Sequence, residues 1–542
     1  MDEPRALTSP DSLGQVSSSA KAQAVADPDV GKTLLARWAT LLIALPSAVL
    51  AVSYLRLLIK LITVHNELYP EGACVFGFMT AFQTHRLYLP PFDFPWNAQF
   101  FGPLFVMTGT FMANVFHGDP TAITVAMRSV SFASLLGSLI LVGYIGWKLE
   151  RQKAWAAVAV VLGLGCSWLC PYAAAARPDT LPLFLVLIAL ALYVVSEGKT
   201  RLIYFAGIVG TAAFLTKQSS VPLVLALFID LLWARKVRET AIFVAGGITT
   251  AVVVFVPLWL RHEPFLANFT AIKNVTQDWH SIPSVVLAAF RVNQIAAICI
   301  AIAILGAVIS LKNKRYRCVL LLVVFTWLFN LAALANVGGG PHYLISPWIL
   351  TMLLVPAGLR QLEDWAGRSL WIPAAIFLLG TIIVVHQRSL LWTNPAEAID
   401  ARPVANLTML TDLPYIELRS KQPQLLDTFT YNEFVKQHVW QDTPIRERID
   451  SGNYDLLLIG GQKEQSSPTE FFVQSFRGTS LWGADLLGEM TMHYRVLCET
   501  KDYLAMVPGN RTTPVSATDI AEMFHQPCRS SIREPKVAPG NS

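Results

Sequence analysis

The chain has 542 residues, 54% of them hydrophobic and 15% charged, with a mean hydropathy of +0.47 and a formal net charge of +5. Soluble domains carry about 25% charged residues, so this composition excludes a soluble globular protein and requires an integral membrane one. The basic residues gather in short loops, which speaks for membrane topology and against a nucleic-acid partner.

Residues 1–33 are rich in Ser, Ala, Asp and Pro, lack an apolar run and read as a disordered cytoplasmic arm. The first apolar stretch begins about 35 residues in and is too long for the core of a cleavable signal peptide. A spanning helix needs about 20 mostly apolar residues. Runs near 35–60, 124–147, 154–171, 180–196, 202–217, 219–234, 239–260, 286–311, 318–336, 341–358 and 370–387 qualify or nearly so. The predicted fold class is a polytopic α-helical membrane protein of about eleven spans, occupying 34–390. Residues 99–118 are also apolar, but a full span there would move Lys148, Arg151, Lys153 and every later basic loop outside. They are expected to form a juxtamembrane or partly inserted helix in a long first outer loop, residues 61–123. Beyond 390, charge returns and short β-branched runs such as Tyr454–Gly460 alternate with helix-like stretches. This predicts a small C-terminal extracytoplasmic α/β domain over 391–510 and a weakly ordered tail over 511–542.

The loops between runs fall into two sets that alternate along the chain. One is basic: Lys148, Arg151 and Lys153; Lys199 and Arg201; Arg235, Lys236 and Arg238; Lys312, Lys314, Arg315 and Arg317; Arg360 and Arg368. Basic loops stay cytoplasmic, so the other set faces the opposite side. That set holds every candidate for chemistry.

Glu71 is the first of these, a carboxylate close to the apolar boundary where partial desolvation suits a general base. A solvated loop glutamate, or a helix N-terminal residue after Pro70, is the plainer explanation. Pro178 and Asp179 fit a helix start, whereas Arg177 runs against the charge bias and could hold a phosphate through bidentate hydrogen bonds. Lys217, with Gln218 in the tightest outer turn, either snorkels to the interface or contacts a phosphate. Gly338, Gly339 and Gly340 permit close approach of a ligand or simply make a flexible turn. His342 and Tyr343 could hydrogen-bond a sugar or diphosphate, or anchor at the interface. Asp278, Trp279 and His280 form a further polar and aromatic group. HExxH, Walker A, GxSxG and paired CxxC patterns are absent. Cys498 and Cys528 would both lie where a disulfide is permitted, while Cys166, Cys299 and Cys318 read as packing residues. Sequons at Asn268, Asn274, Asn406 and Asn510 would face outward.

In this order the segments YPEGACVFGFMTAFQTHRLYLPPF (69–92), NAQFFGPLF (97–105), AARPDTLPLFL (175–185), FLTKQSSVPL (214–223) and GGGPHYLISPW (338–348) resemble the GT-C superfamily of membrane glycosyltransferases. The likeness is to bacterial polyprenyl-phosphate-sugar-dependent mannosyl- and aminoarabinosyl-transferases. It implies a polyprenyl-phosphate sugar as donor and a glycan, lipid or protein acceptor, at the periplasmic face of a bacterial inner membrane. By position it makes Glu71 the candidate base, has Arg86 and Tyr88 shape the first loop, and sets Arg177, Lys217 and His342 against the donor phosphate, with Asp179, Gln218 and Tyr343 beside them. Many relatives carry paired acidic residues where this chain has Leu68, Tyr69 and Pro70 before a single Glu71. The expectation is a reaction with no cofactor beyond the lipid-linked sugar and no protein-bound metal, a divalent ion remaining open. A transporter or flippase for a lipid-linked or polar solute, or a non-catalytic scaffold, is the alternative.

Overall fold

The computed structural model describes residues 52, 55–56, 59–62, 71–93, 99–164, 173–271, 273, 275–292, 294–336, 340–365, 400–421, 428–460, 484–500, 503–509, 512 and 514–528. The arm 1–33, most of the first apolar run, the last run at 370–387, Gly338, Gly339, Cys166, Asn274 and Asn510 lie outside them.

The membrane part is a helical bundle. Its elements are α1 Gly72–Thr84, α2 Pro103–Val115, α3 Pro120–Glu150, α4 Lys153–Leu164, α5 Thr180–Ser196, α6 Thr200–Thr216, α7 Val221–Trp233, α8 Val237–Leu260 and α9 Phe265–Ala271. There follow α10 Ser281–Val292, α11 Gln294–Ser310, α12 Arg317–Leu334, α13 Ile345–Thr351 and α14 Val355–Trp365. Helix α3 shows how the sequence sets its limits. Asp119 accepts from the Thr121 backbone N–H at 2.9 Å, and Pro120 fills the first turn, where its missing N–H leaves nothing unpaired. Thirty-one residues on, Arg151 stops the helix in the left-handed region (φ 62°), and Lys148 lays its ammonium 4.8 Å from the Trp147 ring centre.

By length and composition α3, α8 and α12 can each cross a membrane. Two bent pairs, Ser281–Arg291 with Ala296–Ser310 (104°) and Pro341–Thr351 with Val355–Leu362 (51°), raise the number to five among the described residues. The runs at 180–196, 202–217 and 219–234 do form apolar helices, of 17, 17 and 13 residues. Each is shorter than the about 20 residues a full span needs, so among the described residues fewer spans qualify by length than the runs there suggest. In the first outer loop, α2 has 13 residues and is too short to cross. It exposes Met107, Phe111 and Val115 at helical spacing while burying Phe105, Val106, Gly109 and Ala113, which is the form of a helix lying along an apolar boundary. The stretch after Glu71, expected as loop, is the helix α1.

Residues 400–528 contain a four-stranded sheet of β1 Met409–Thr411, β2 Leu456–Gly460, β3 Tyr494–Glu499 and β4 Tyr503–Pro508, in the order β1-β2-β4-β3. Only the β1–β2 pair is parallel. Helices α15 Thr428–Lys436, α16 Thr443–Asp450, α17 Ala484–His493 and α18 Ala517–Phe524 accompany it. Within the tail expected to be weakly ordered, of which 529–542 lie outside the described residues, α18 is a capped helix, Ser516 and Asp519 closing a reciprocal cap at its start. A Cys498–Cys528 disulfide ties the following residues to β3. The α/β unit is seated on the first loop and on α9. Trp440 Nε1 donates to the Pro91 carbonyl at 2.9 Å and Arg419 Nη2 to Thr121 Oγ1 at 2.7 Å. Phe434, Trp440 and Tyr431 share a buried cluster with Ala271 and Val275.

Backbones approach closely where α6 meets α8. A Cβ at Gly207 would overlap the Phe243 carbonyl, and one at Gly246 the Tyr204 carbonyl. Gly207→Ala and Gly246→Ala are therefore each expected to destabilise the bundle by about 1–3 kcal/mol, measured by thermal unfolding in detergent. Gly488→Ala, on α17 with open space around it, should leave the transition unchanged or raise it.

Candidate active site

Glu71 stands at the N-cap of α1, but it is not a solvated loop residue: it is 1% exposed. Its carboxylate faces Arg128 of α3, which has no exposure at all. Arg128 Nε donates to the two carboxylate oxygens at 3.1 and 3.2 Å, and Nη2 donates to Oε1. The Ala176 backbone N–H adds a hydrogen bond to Oε2 at 2.6 Å. Arg128 Nη1 meanwhile donates to the carbonyls of Leu61 at 3.1 Å and Ile62 at 3.4 Å. One guanidinium thus joins the end of the first apolar run, the start of α1, the helix α3 and the segment before α5.

That segment, Ala173–Asp179, also carries the second ion-pair system. Asp179, just outside α5, is buried and pairs with Lys217, and the Arg177 Nε lies 3.4 Å from its other oxygen. Burial alone would raise the Asp179 pKa. Lys217, His342 and Arg177 together outweigh it and hold the carboxyl at about 2. Lys217 is placed by a break between α6 and a short 3-10 turn, where its backbone is extended (φ −153°). Its ammonium sits 4.9 Å from the centre of the Tyr343 ring, and the Tyr343 and His342 rings are 4.3 Å apart. The Arg177 guanidinium lies over Phe101 at 5.7 Å. Two hydrogen bonds pin the segment to α3, from Thr180 Oγ1 to the Ser131 carbonyl at 2.8 Å and from Ser131 Oγ to the Arg177 carbonyl at 3.4 Å. Ser131 is three residues after Arg128, so the two pairs are one constellation.

The first loop closes over it. Gln218 Nε2 donates to the Phe100 carbonyl at 2.7 Å, and the Gly102 N–H donates to the Thr216 carbonyl at 3.3 Å. Gly102 has to be glycine there, since a Cβ would strike the Leu215 carbonyl. Buried Tyr88 donates through its hydroxyl to the Phe101 carbonyl at 2.9 Å. Burial and the nearby Glu263 push its phenol well above the usual range, which keeps it a neutral donor.

Of the residues expected at the site, Glu71, Tyr88, Arg177, Asp179, Lys217, Gln218, His342 and Tyr343 converge. Arg86 does not; its side chain is exposed at the end of α1. Asp278 and His280 make a local turn, with the His280 N–H donating to Asp278 Oδ1 at 3.0 Å. Asn268 is wholly buried, and its amide donates to the Leu89 carbonyl at 2.8 Å, so its sequon is closed to modification in the folded chain. Arg128 is the residue that sequence reasoning missed. Its signal was a lone charge inside the apolar run 124–147, and such a residue requires a partner. Among the described residues no group of three or more His, Cys, Asp or Glu side chains is arranged around a metal-sized site.

Breaking a buried pair leaves an uncompensated charge, at a cost of about 3–5 kcal/mol, whereas an apolar replacement of both partners is often neutral. Arg128→Met should lower thermal stability by that amount, and Glu71→Met combined with it should recover most of the loss. If the double variant unfolds no later than the single one, the pair is not what holds these elements together. Asp179, with its carboxyl lowered from 3.8 to about 2, stabilises the fold above pH 4 and ceases to do so as pH falls through 2. Asp179→Asn should therefore flatten the stability–pH curve over that interval, as followed by acid unfolding in detergent.

Residues 108–260 match the family model of dolichyl-phosphate-mannose-protein mannosyltransferases. The fold is similar to that of ArnT from Cupriavidus metallidurans bound to undecaprenyl phosphate, with a TM-score of 0.56 and 12% identity over 86% of this chain and 97% of that one. The apo state of the same protein matches with a TM-score of 0.56 and 12% identity over 88% and 98%. A comparison with curated protein sequences finds no match. In fold over nearly all of its length, and in sequence pattern over its central helices, the chain is similar to membrane glycosyltransferases of the GT-C superfamily.

Proposed function

We propose that this protein transfers a sugar from a polyprenyl-phosphate-linked donor to an acceptor hydroxyl at the extracytoplasmic face of a membrane, the bacterial inner membrane being the setting that the resemblance favours. The observation that carries this reading is the constellation itself: buried cations and carboxylates gathered at the ends of apolar helices, where a lipid-borne phosphate would lie. The ArnT structure that this fold resembles holds undecaprenyl phosphate, which supports a polyprenyl-phosphate partner.

In this reading the isoprenoid chain lies among the helices, and its phosphate meets Lys217 and Arg177 with His342 beside them. Tyr88 and Gln218 fix the first loop over the site, and Asp179 and Tyr343 hold Lys217 in place. Glu71 takes the proton from the acceptor hydroxyl as that oxygen attacks the anomeric carbon from the face opposite the phosphate. The carbon–oxygen bond to the phosphate breaks, the configuration inverts, and the cations stabilise the charge on the departing lipid phosphate. Because Arg128 and Ala176 both donate to the Glu71 carboxylate, the base role requires one of these donors to release an oxygen when substrate binds. No metal is needed for these steps.

The test is transfer of radiolabelled sugar from a polyprenyl-phosphate donor in vesicles containing the full chain. Glu71→Gln should lower turnover by about 10²–10⁴-fold while leaving membrane insertion intact. Lys217→Met should cost about 10²–10³-fold. Wild-type turnover in Glu71→Gln would remove that residue from the base role, and an inactive wild type with every donor tried would remove the transfer reading.

A further inference from the structure

The end of α1 and the end of α8 meet at the rim of the first loop, away from the constellation. Helix α1 stops at Thr84, with His85 in the left-handed region (φ 55°). Helix α8 stops at Leu260, and His262 turns the chain in the same way (φ 51°). Arg261 Nη2 reaches the His85 carbonyl at 3.5 Å. All four side chains of His85, Arg86, Arg261 and His262 are exposed.

Glu263 is the acid placed to neutralise them, and it is turned away. Its two carboxylate oxygens accept from the Leu87 and Tyr88 backbone N–H groups at 3.2 and 2.9 Å. Neither Arg86 nor Arg261 has an ion-pair partner among the described residues. Immediately beside them the surface changes character. Trp259 is 74% exposed, Leu260 64% and Leu266 of α9 68%, and they continue the outward apolar stripe of α8 through Ile248, Val252 and Val256. A guanidinium pair directly past the end of a membrane-length helix, rimmed by an exposed Trp, matches the level where acyl chains give way to headgroups. Arginines at this end of α8 also run against the bias that places basic residues in the opposite loops.

We propose that His85, Arg86, Arg261 and His262 form a binding site for the phosphate headgroup of an anionic membrane lipid. Each guanidinium offers a planar fork that matches phosphate oxygens, each imidazole adds a ring N–H, and Trp259 with Leu266 lies along the acyl chains. The site is linked to the constellation through the first loop. Glu263 fixes the backbone of Tyr88, whose hydroxyl holds the Phe101 carbonyl, and the Phe101 ring carries Arg177. A headgroup on the rim therefore bears on the geometry of the first loop.

The experiment uses the full chain in nanodiscs of mixed phosphatidylcholine and phosphatidylglycerol, and native mass spectrometry reads the lipids retained after stepwise delipidation. The wild type should retain phosphatidylglycerol preferentially, and Arg86→Gln with Arg261→Gln should lower that preference by roughly ten- to thirty-fold. Arg86→Gln alone, whose guanidinium makes no hydrogen bond or ion pair among the described residues, guards against a folding defect. Equal retention by wild type and variants with unchanged melting would overturn the proposal. So would displacement of the lipid by millimolar inorganic phosphate, which would mark a site for the free ion. The readout is independent of sugar transfer, so its failure and failure of the catalytic reading are told apart.

Discussion

An ion placed beside hydrocarbon loses its hydration, and no single contact restores it. Arg128 is such an ion, fully enclosed in α3, and the surrounding structure is the set of elements that bring it acceptors. The carboxylate of Glu71 supplies charge, and the carbonyls of Leu61 and Ile62 occupy the remaining guanidinium edge. Glu71 in turn recruits the Ala176 N–H, which fixes the segment that carries Arg177 and Asp179. The order of causation runs from one buried cation to the location of the whole constellation. Lys217 arrives by the same logic, since Asp179 is buried too and needs a cation brought to it from the far side of α6.

The opposite end of the bundle shows what ion pairs look like when they only fasten helices. There Arg317 pairs with Asp230, which also accepts from the Tyr193 hydroxyl, and Arg360 pairs with Glu150, which accepts from Tyr316. Arg317 and Arg360 keep 25% and 53% of their side chains exposed. Their guanidinium sides are open to solvent and screened, although Asp230 and Glu150 themselves are nearly buried. At the constellation end the cations lie within the protein, packed on Tyr343 and Phe101 rather than on water. The contrast separates part-exposed pairs that close helix ends from buried pairs at the other end of the bundle.

Much of this was legible in the sequence, and the failures have identifiable causes. Arg177, Asp179, Lys217 and His342 stand in turns between apolar runs, so their convergence follows once the runs are helices packed side by side. The strands at Leu456–Gly460 and Tyr494–Glu499 could be read because short apolar runs, LLLI in the first and Tyr494, Val496 and Leu497 in the second, stand where charged residues return. Arg128 was hidden because a window average over 124–147 absorbs one charge among many apolar residues. A helix start after Pro70 was one reading of Glu71, but the extent of α1 was not legible, because Gly72 signals a turn and its apolar residues cover more than one face. Asn268 shows the limit of a short motif: its sequence suits glycosylation, yet its amide is spent inside the fold on the Leu89 and Pro264 carbonyls.

The first loop emerges as the part on which both the central helices and the α/β unit act. From below, the Thr216 carbonyl and the Gln218 side chain hold its Phe100–Gly102 stretch. From the side, Glu263 and Asn268 of the α8–α9 region bind the backbones of Leu87, Tyr88 and Gln99. From the α/β unit, Trp440 fastens Pro91. A loop fixed on three sides by hydrogen bonds to its backbone needs few of its own side chains for its shape, Tyr88 being one that it does use. Its remaining side chains are then available for other work: Phe101 as a platform for Arg177, and Arg86 as a cation at the rim with no ion-pair partner among the described residues. The division is economical for a chain whose interior is nearly all apolar, because it confines polar satisfaction to the backbone and reserves the few charged side chains for places where charge itself is required.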